Sequence, residues 1–384
     1  MLESLTLNIL TLNIWGIWFS RDQNLRLRAL CATFEHRKED ILCLQEVWQA
    51  SDRAFVVEEA RKQGYIYSAY FASRGVGSGL LVLSIFPIIE TQFKQFEVRG
   101  RADRVYYGDY IAGKGIGLAR IRTPAGIVDV YNTHTIAQYQ PDEKDEFRAH
   151  RRTQHYEISQ FIATHTIDNP VILTGDFNMR PDQPNHQLIT TLANLTDCYA
   201  LLHPNDAGIT LASDNPYHAN DPDQRLDYIF VRDGTSYAVM PKMAEITLQY
   251  VPYTGKRIAY SDHYGVTVTL EITPKTGTIK TKAVDENAIE LVHADFRQAL
   301  VTELQRLPHR QYDAKARYQM SVRVLIGAVL FGRVSGRRTR ILLFIGALFH
   351  MLIRRRLAQV DVPQETDGLK YFLSSLENEK ARSE

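Results

Sequence analysis

The chain has 384 residues, 45 % of them apolar, enough to bury a large core and, by length, to form two or three domains. Its formal net charge of +1 hides an uneven distribution: ten of residues 314–360 are Lys or Arg and none is Asp or Glu. The three cysteines, Cys31, Cys43 and Cys198, include no CxxC pair, which argues against a disulfide framework or a cysteine-based metal site and for a reducing compartment.

In chain order, Leu5 to Ile14 reads as a buried strand carrying Asn13 near its end, and Asn24 to His36 as a helix. Ile41 to Val47 is a second strand carrying Glu46, followed by a helix over Asp52 to Gln63 closed by Gly64. Ile66 to Phe71 and Ser78 to Ser84 form a strand pair around the Gly75-Val76-Gly77 turn. Gly115 to Arg122 and Ile127 to Asn132, split by Pro124-Ala125-Gly126, read as a hairpin delivering His134. A long helix over about Asp145 to His165 crosses to a strand at Pro170 to Thr174, and Asp176 follows in a turn. Leu226 to Arg232, Glu245 to Val251 and Tyr264 to Ile272 supply further strands. Hairpins mixed with crossover helices indicate α/β layers rather than a simple doubly wound sheet. The opening of the chain has a strand pattern, not a basic segment and apolar run, so no cleaved secretory signal is expected.

Five short motifs put polar groups directly after apolar runs: LNIW at Asn13, LQEVW at Glu46, NTH ending at His134, GDFN from Gly175 to Asn178, and SDHYGV from Ser261 to Val266. Each has an ordinary explanation when taken alone, such as a strand cap, a Gly/Asn turn or a structural histidine. Together they describe strand ends converging on one cleft, with the parts of a metal-assisted phosphodiester hydrolase. Glu46 and Asn13 offer oxygens to a hard cation such as Mg2+, with Mn2+ as a possible substitute. Asp176 and Asn178 stand two residues apart, so a strand-like path would aim both at one side, one toward a water and the other toward a phosphate oxygen. Asp227 in RLDYIF and Asp262 in SDH are the carboxylates available to orient His263 as a base, and His134 would serve the leaving-group side.

These residues carry a resemblance. Residues 5–272 resemble the endonuclease/exonuclease/phosphatase superfamily, and LNIWGI, LQEVW, SGLLVLS, NTH, the HRRTQ helix, GDFNMRP and SDHYGV are most similar to neutral sphingomyelinases and related phospholipase C-type enzymes. Ile85 and Thr135 depart from the residues usual at their positions. The resemblance implies a DNase-like four-layer α/β sandwich, with two packed mixed β-sheets and helices outside. It also implies Mg2+-dependent hydrolysis of sphingomyelin to ceramide and phosphocholine by an activated water. By motif, Glu46 and Asn13 would bind the metal with Asp262 beside them, Asn178 would contact phosphate, Asp176 would orient the water or its metal, and His263 would be the base supported by Asp227 and Asp262.

The expected organisation is a catalytic domain over 1–272, a polar linker over 273–285 and a helical, basic and apolar region over 286–384. In that region the apolar runs Val324 to Gly332 and Ile341 to Ile353 have 9 and 13 residues, shorter than the roughly 20 of a spanning helix. With basic residues at their ends they suit an anionic membrane surface, the catalytic domain lying on the cytoplasmic side. The expected partners are therefore a phospholipid or sphingolipid and a membrane. A nuclease or inositol polyphosphate phosphatase using the same site, and a catalytically silent membrane scaffold, remain as alternatives.

Overall fold

The computed structural model describes residues 3–218, 222–252, 257–275, 286–330, 348 and 350–383. Two compact units are present: Met1–Phe96 with Ala112–Asp145 and Gln154–Val292, and Glu97–Ile111 with Glu146–Thr153 and His293–Glu384.

The first unit holds two mixed six-stranded sheets. One contains β1 (Leu5–Asn13), β2 (Ile41–Gln45), β3 (Tyr67–Tyr70), β4 (Leu81–Ser84), β11 (Tyr237–Thr247) and β12 (Gly265–Pro274), in the order β11-β12-β1-β2-β4-β3. The other contains β5 (Ile88–Gln95), β6 (Gly115–Thr123), β7 (Gly126–His134), β8 (Val171–Asp176), β9 (Thr196–Asp197) and β10 (Asp227–Arg232), in the order β5-β6-β7-β8-β10-β9. The central strands are buried on both faces and alternate between two cores. Leu7, Ile9, Ile41, Cys43, Val128, Val130, Ile172, Ile229 and Val231 meet between the sheets. Leu10, Leu12, Leu42 and Leu44 face outward against Leu27, Leu30 and Phe34, where α1 (Gln23–Thr33) runs into a single 3-10 turn, and against Val56 and Ala60 of α2 (Ala50–Lys62). On the other side Tyr131, Leu173 and Phe230 pack on Ile158, Phe161 and Ile162 of α3 (Arg148–His165). Layers of helix, sheet, sheet and helix follow, because each strand has two apolar faces to cover.

Three strands differ from the sequence expectation, the two-residue β9 having no counterpart there. β5 was not anticipated; its half-buried side chains give no continuous apolar run. The strand expected at Glu245 to Val251 instead spans Tyr237–Thr247, with an irregularity between Pro241 and Met243. A proline inside the run and several exposed positions mask the strand signal there. β12 extends to Pro274, and residues 276–285 of the expected linker lie outside the described residues.

The second unit is helical and rich in buried charge. Phe296, Leu300 and Leu307 of α4 (Glu286–Leu330) and Leu369, Phe372 and Leu376 of α5 (Val362–Ser383) are buried. Arg310 grips Glu365 through both oxygens at 2.8 and 2.9 Å and also reaches Glu303 at 3.0 Å. His150 Nε2 stands 3.2 Å from the same Glu365 carboxylate. Burial alone would push the Glu365 carboxyl up, but the charges of His150 and Arg310 outweigh it and hold it down at about 2. Arg101 and Arg104 share Glu146 and Asp103. Among the described residues no helix is long and apolar enough to cross a membrane. The run at Ile341 to Ile353 lies largely outside the described residues, as do the side chains of that at Val324 to Gly332.

Candidate active site

Strand register assembles half of the site. Parallel pairing sets His134 at the end of β7 opposite Asp176 at the end of β8, and antiparallel pairing sets Asp176 opposite Asp227 at the start of β10. All three share the inward parity of Val130, Ile172 and Ile229, so they form a row at one edge of the inter-sheet core. In the other sheet, Asn13 at the end of β1 has the same inward parity and pairs with Gln45. A polar layer lies beneath: Gln45 Nε2 donates to Thr11 Oγ1 and, at 2.7 Å, to Asn132 Oδ1 of the facing sheet.

Alternation alone would send Glu46 outward with Leu42 and Leu44. Its backbone instead enters the left-handed region at φ 61°, which turns the carboxylate into the cleft. Asn178 does the same at φ 46°, so the strand-like path expected from Asp176 to Asn178 is not taken. The Asp176 carboxylate holds that turn by accepting from Asn178 N–H at 3.0 Å, and Asn178 Nδ2 donates to Thr135 O. A left-handed non-glycine residue costs on the order of 1–3 kcal/mol, and such strain clusters at functional sites.

Asn13 joins the two sheets. Its Nδ2 donates to Asp176 Oδ2 at 2.9 Å and to Glu46 Oε1 at 3.1 Å, while its Oδ1 accepts from Trp15 N–H. Trp48 Nε1 donates to the other Glu46 oxygen. His263 Nδ1 lies 2.8 Å from Asp227 Oδ2, leaving Nε2 3.8 Å from Asp176 Oδ2. Asp176, Asp227 and His263 thus offer ligand atoms within 4.8 Å of one another. Asp262 is half-buried, accepts from Ser261 Oγ, and acts on Glu46 and His263 through its charge. Every residue singled out from the sequence therefore reaches this cluster or its rim.

The cluster is short of positive charge. Burial pushes the Asp176 carboxyl up to about 7, with the neighbouring Asp227 adding to it, and burial raises Glu46 as well. Burial by itself would keep His263 neutral, but Asp227 and Asp176 hold it well above its ordinary value. His134 moves the opposite way, lowered by burial and by Lys114. Lys114 is the residue that sequence reasoning missed. Only 7 % exposed, it places Nζ 3.0 Å from His134 Nε2 and donates to Thr135 O at 2.9 Å. The ring proton of a neutral His134 then sits on Nδ1, a buried atom without a hydrogen-bond partner among the described residues. The sequence shows only that Lys114 stands between Gly113 and Gly115 at the start of a buried strand; that a Cβ on Gly115 would stand 2.2 Å from Lys94 O is a property of the fold.

The sequence pattern of the Endonuclease/Exonuclease/phosphatase family matches residues 10–263, a stretch that includes every one of these groups. The chain belongs to this family. It is 35 % identical over 276 residues to a putative neutral sphingomyelinase of Drosophila melanogaster, covering 70 % of this chain and 61 % of that relative. It is 32 % identical over 299 residues to an inositol phosphosphingolipids phospholipase C of Schizosaccharomyces pombe, covering 69 % of this chain and 68 % of the relative. The chain therefore spans somewhat under two thirds of the fly relative's length. The fold is similar to that of Staphylococcus aureus beta toxin in a mutant structure with bound magnesium ions. The TM-score is 0.55 at 18 % identity, with 69 % of this chain and 99 % of that one covered.

Proposed function

We propose that this protein is a divalent-metal-dependent phosphodiester hydrolase that cleaves a ceramide-linked phosphodiester, releasing ceramide and a phosphorylated headgroup. The observation that carries this reading is the row His134, Asp176 and Asp227, with His263 paired to Asp227 and with Asn13 and Glu46 facing it from the second sheet. The fly and fission-yeast relatives favour a sphingolipid over a nucleic acid.

The residues present fit a hard cation. Glu46 and Asp176 bring carboxylate oxygens together around the Asn13 amide, and the raised Asp176 and Glu46 carboxyls call for positive charge. Magnesium, which that beta toxin structure holds, suits such donors, and manganese can substitute. When bound, the cation supplies Lewis-acid polarisation of the phosphoryl group.

The chain's own groups do the rest. Asp227 fixes the His263 tautomer so that Nε2 takes a proton from the attacking water, and cationic charge beside Asp176 would lower His263 toward the neutral form a base needs. The water oxygen bonds to phosphorus as the bond to the ceramide oxygen breaks. The departing oxygen takes its proton from the Lys114–His134 pair, whose ammonium also faces the developing negative charge. Asp176 keeps Asn178 in its left-handed turn beside this site. The basic and apolar stretch within 314–360 would hold the enzyme at an anionic membrane surface, with the catalytic residues on the cytoplasmic side.

The test is incubation of purified protein, with EDTA and then with restored Mg2+, against sphingomyelin or inositol phosphosphingolipid in mixed micelles, plasmid DNA, and soluble inositol phosphates. Mg2+-dependent release of ceramide is expected. Consumption of DNA or inositol phosphates alone would overturn the lipid reading, and full turnover in EDTA would remove the metal from it.

A further inference from the structure

Arg26 of α1 is 1 % exposed, and its buried guanidinium spends its donors on four backbone carbonyls and one hydroxyl rather than on carboxylates. Nε donates to Arg21 O at 2.9 Å; Nη1 to Ile14 O at 2.8 Å and Tyr260 O at 3.3 Å; Nη2 to Trp15 O at 3.0 Å and Ser20 Oγ at 2.8 Å. A guanidinium has five N–H donors in a rigid planar fork, so all of them are used. The plane also lies over Trp15, 4.8 Å from the ring centroid.

The acceptors are placed with consequence. Ile14 and Trp15 directly follow Asn13, and Tyr260 precedes the Ser261-Asp262-His263 segment. Trp15 is left-handed at φ 50°, and its N–H donates to Asn13 Oδ1, which orients the amide facing Glu46 and Asp176. Gly16 completes the stack, since a Cβ there would stand 2.2 Å from Glu46 O. Residues 14–16 are thus held between the Arg26 fork and the backbone of Glu46. We propose that Arg26 is a positioning residue for the divalent-cation site: it locks the Asn13–Gly16 turn and the Tyr260 carbonyl together, and so fixes where the Asn13 amide and the neighbouring Glu46 carboxylate stand at the site. The inference rests on the metal-dependent reading above. A mere core role would make Arg26 matter for stability alone, and a positioning role makes it matter for metal affinity.

The experiment measures Mn2+ affinity of the full chain by electron paramagnetic resonance titration, with melting temperature recorded alongside. The variants are Arg26→Met, Arg26→Lys, Ser20→Ala and, as a buried control in α2, Val56→Ala. Loss of an outer-sphere support typically weakens metal binding about 10- to 100-fold. Arg26→Met is expected to fall in that range. Arg26→Lys should fall less, because an ammonium has three donors and no fixed plane, and Ser20→Ala least. Val56→Ala should melt lower with unchanged Mn2+ affinity. If Arg26→Met does not fold, the graded loss in Arg26→Lys and Ser20→Ala carries the test. Wild-type affinity in both of those, or an equal weakening in Val56→Ala, overturns the role of Arg26. A wild-type protein that binds no Mn2+ would overturn the metal-dependent reading itself, and the inference with it.

Discussion

Buried acids in the two units are displaced in opposite directions. Asp176 in the sheet unit is pushed up to about 7 because burial and a second carboxylate act on it together, whereas Glu365 in the helical unit is held at about 2 by His150 and Arg310 despite its burial. A carboxylate gripped through both oxygens by a guanidinium has its charge answered within the protein and serves structure. Carboxylates packed against each other with too little cation are arranged for something that arrives from outside.

The sharpest way to break this contrast is to remove the base from the unsatisfied cluster. His263→Ala should lower kcat by roughly 10²- to 10⁴-fold with little change in melting temperature, read in a ceramide-release assay. A variant that kept its rate would place the base elsewhere, with Asp176 next in line. Lys114→Met, which removes the cation beside His134, should cost roughly 10²-fold in kcat, the scale for losing one preorganised donor to developing charge. It should also raise the His134 pKa, because Lys114 lowers it; an NMR titration of the imidazole checks the sign.

The satisfied cluster should respond in stability instead. Glu365 has a folded pKa of about 2 against an ordinary 4.5, so its stabilisation is complete above about pH 4.5 and is lost as pH falls toward 2. Glu365→Gln should destabilise the helical unit by about 3 kcal/mol at neutral pH and flatten that acid limb in pH-dependent denaturation. An unchanged acid limb would show that Arg310 and His150 do not hold the carboxylate as described. The smallest effect is expected at Gly64, left-handed at φ 96° with open space where a Cβ would go. Gly64→Ala should cost about 1 kcal/mol through backbone strain alone and leave activity per folded molecule intact.

Much of the site was legible because an apolar run ending in a polar residue marks a buried strand edge. Leu5–Asn13, Ile41–Gln45, Gly126–His134 and Val171–Asp176 all ended at or beside the expected group. Local periodicity reports burial, and burial is what those residues share. β5 escaped because it is half-buried, and Tyr237–Thr247 because Pro241 interrupts its signal. Local pattern does not report which strand ends become neighbours. The His134–Asp176–Asp227 row depends on β7, β8 and β10 pairing in one register, which follows from how two sheets and their helices cover each other's apolar faces. The inward turn of Glu46 at φ 61° runs against strand alternation and exists only because the surrounding packing sustains it. Lys114 and Arg26 looked in sequence like ordinary basic residues. Their partners, His134 for the one and the carbonyls of Ile14, Trp15 and Tyr260 for the other, are 11 to 234 residues away along the chain, so only the folded packing could assign them a place.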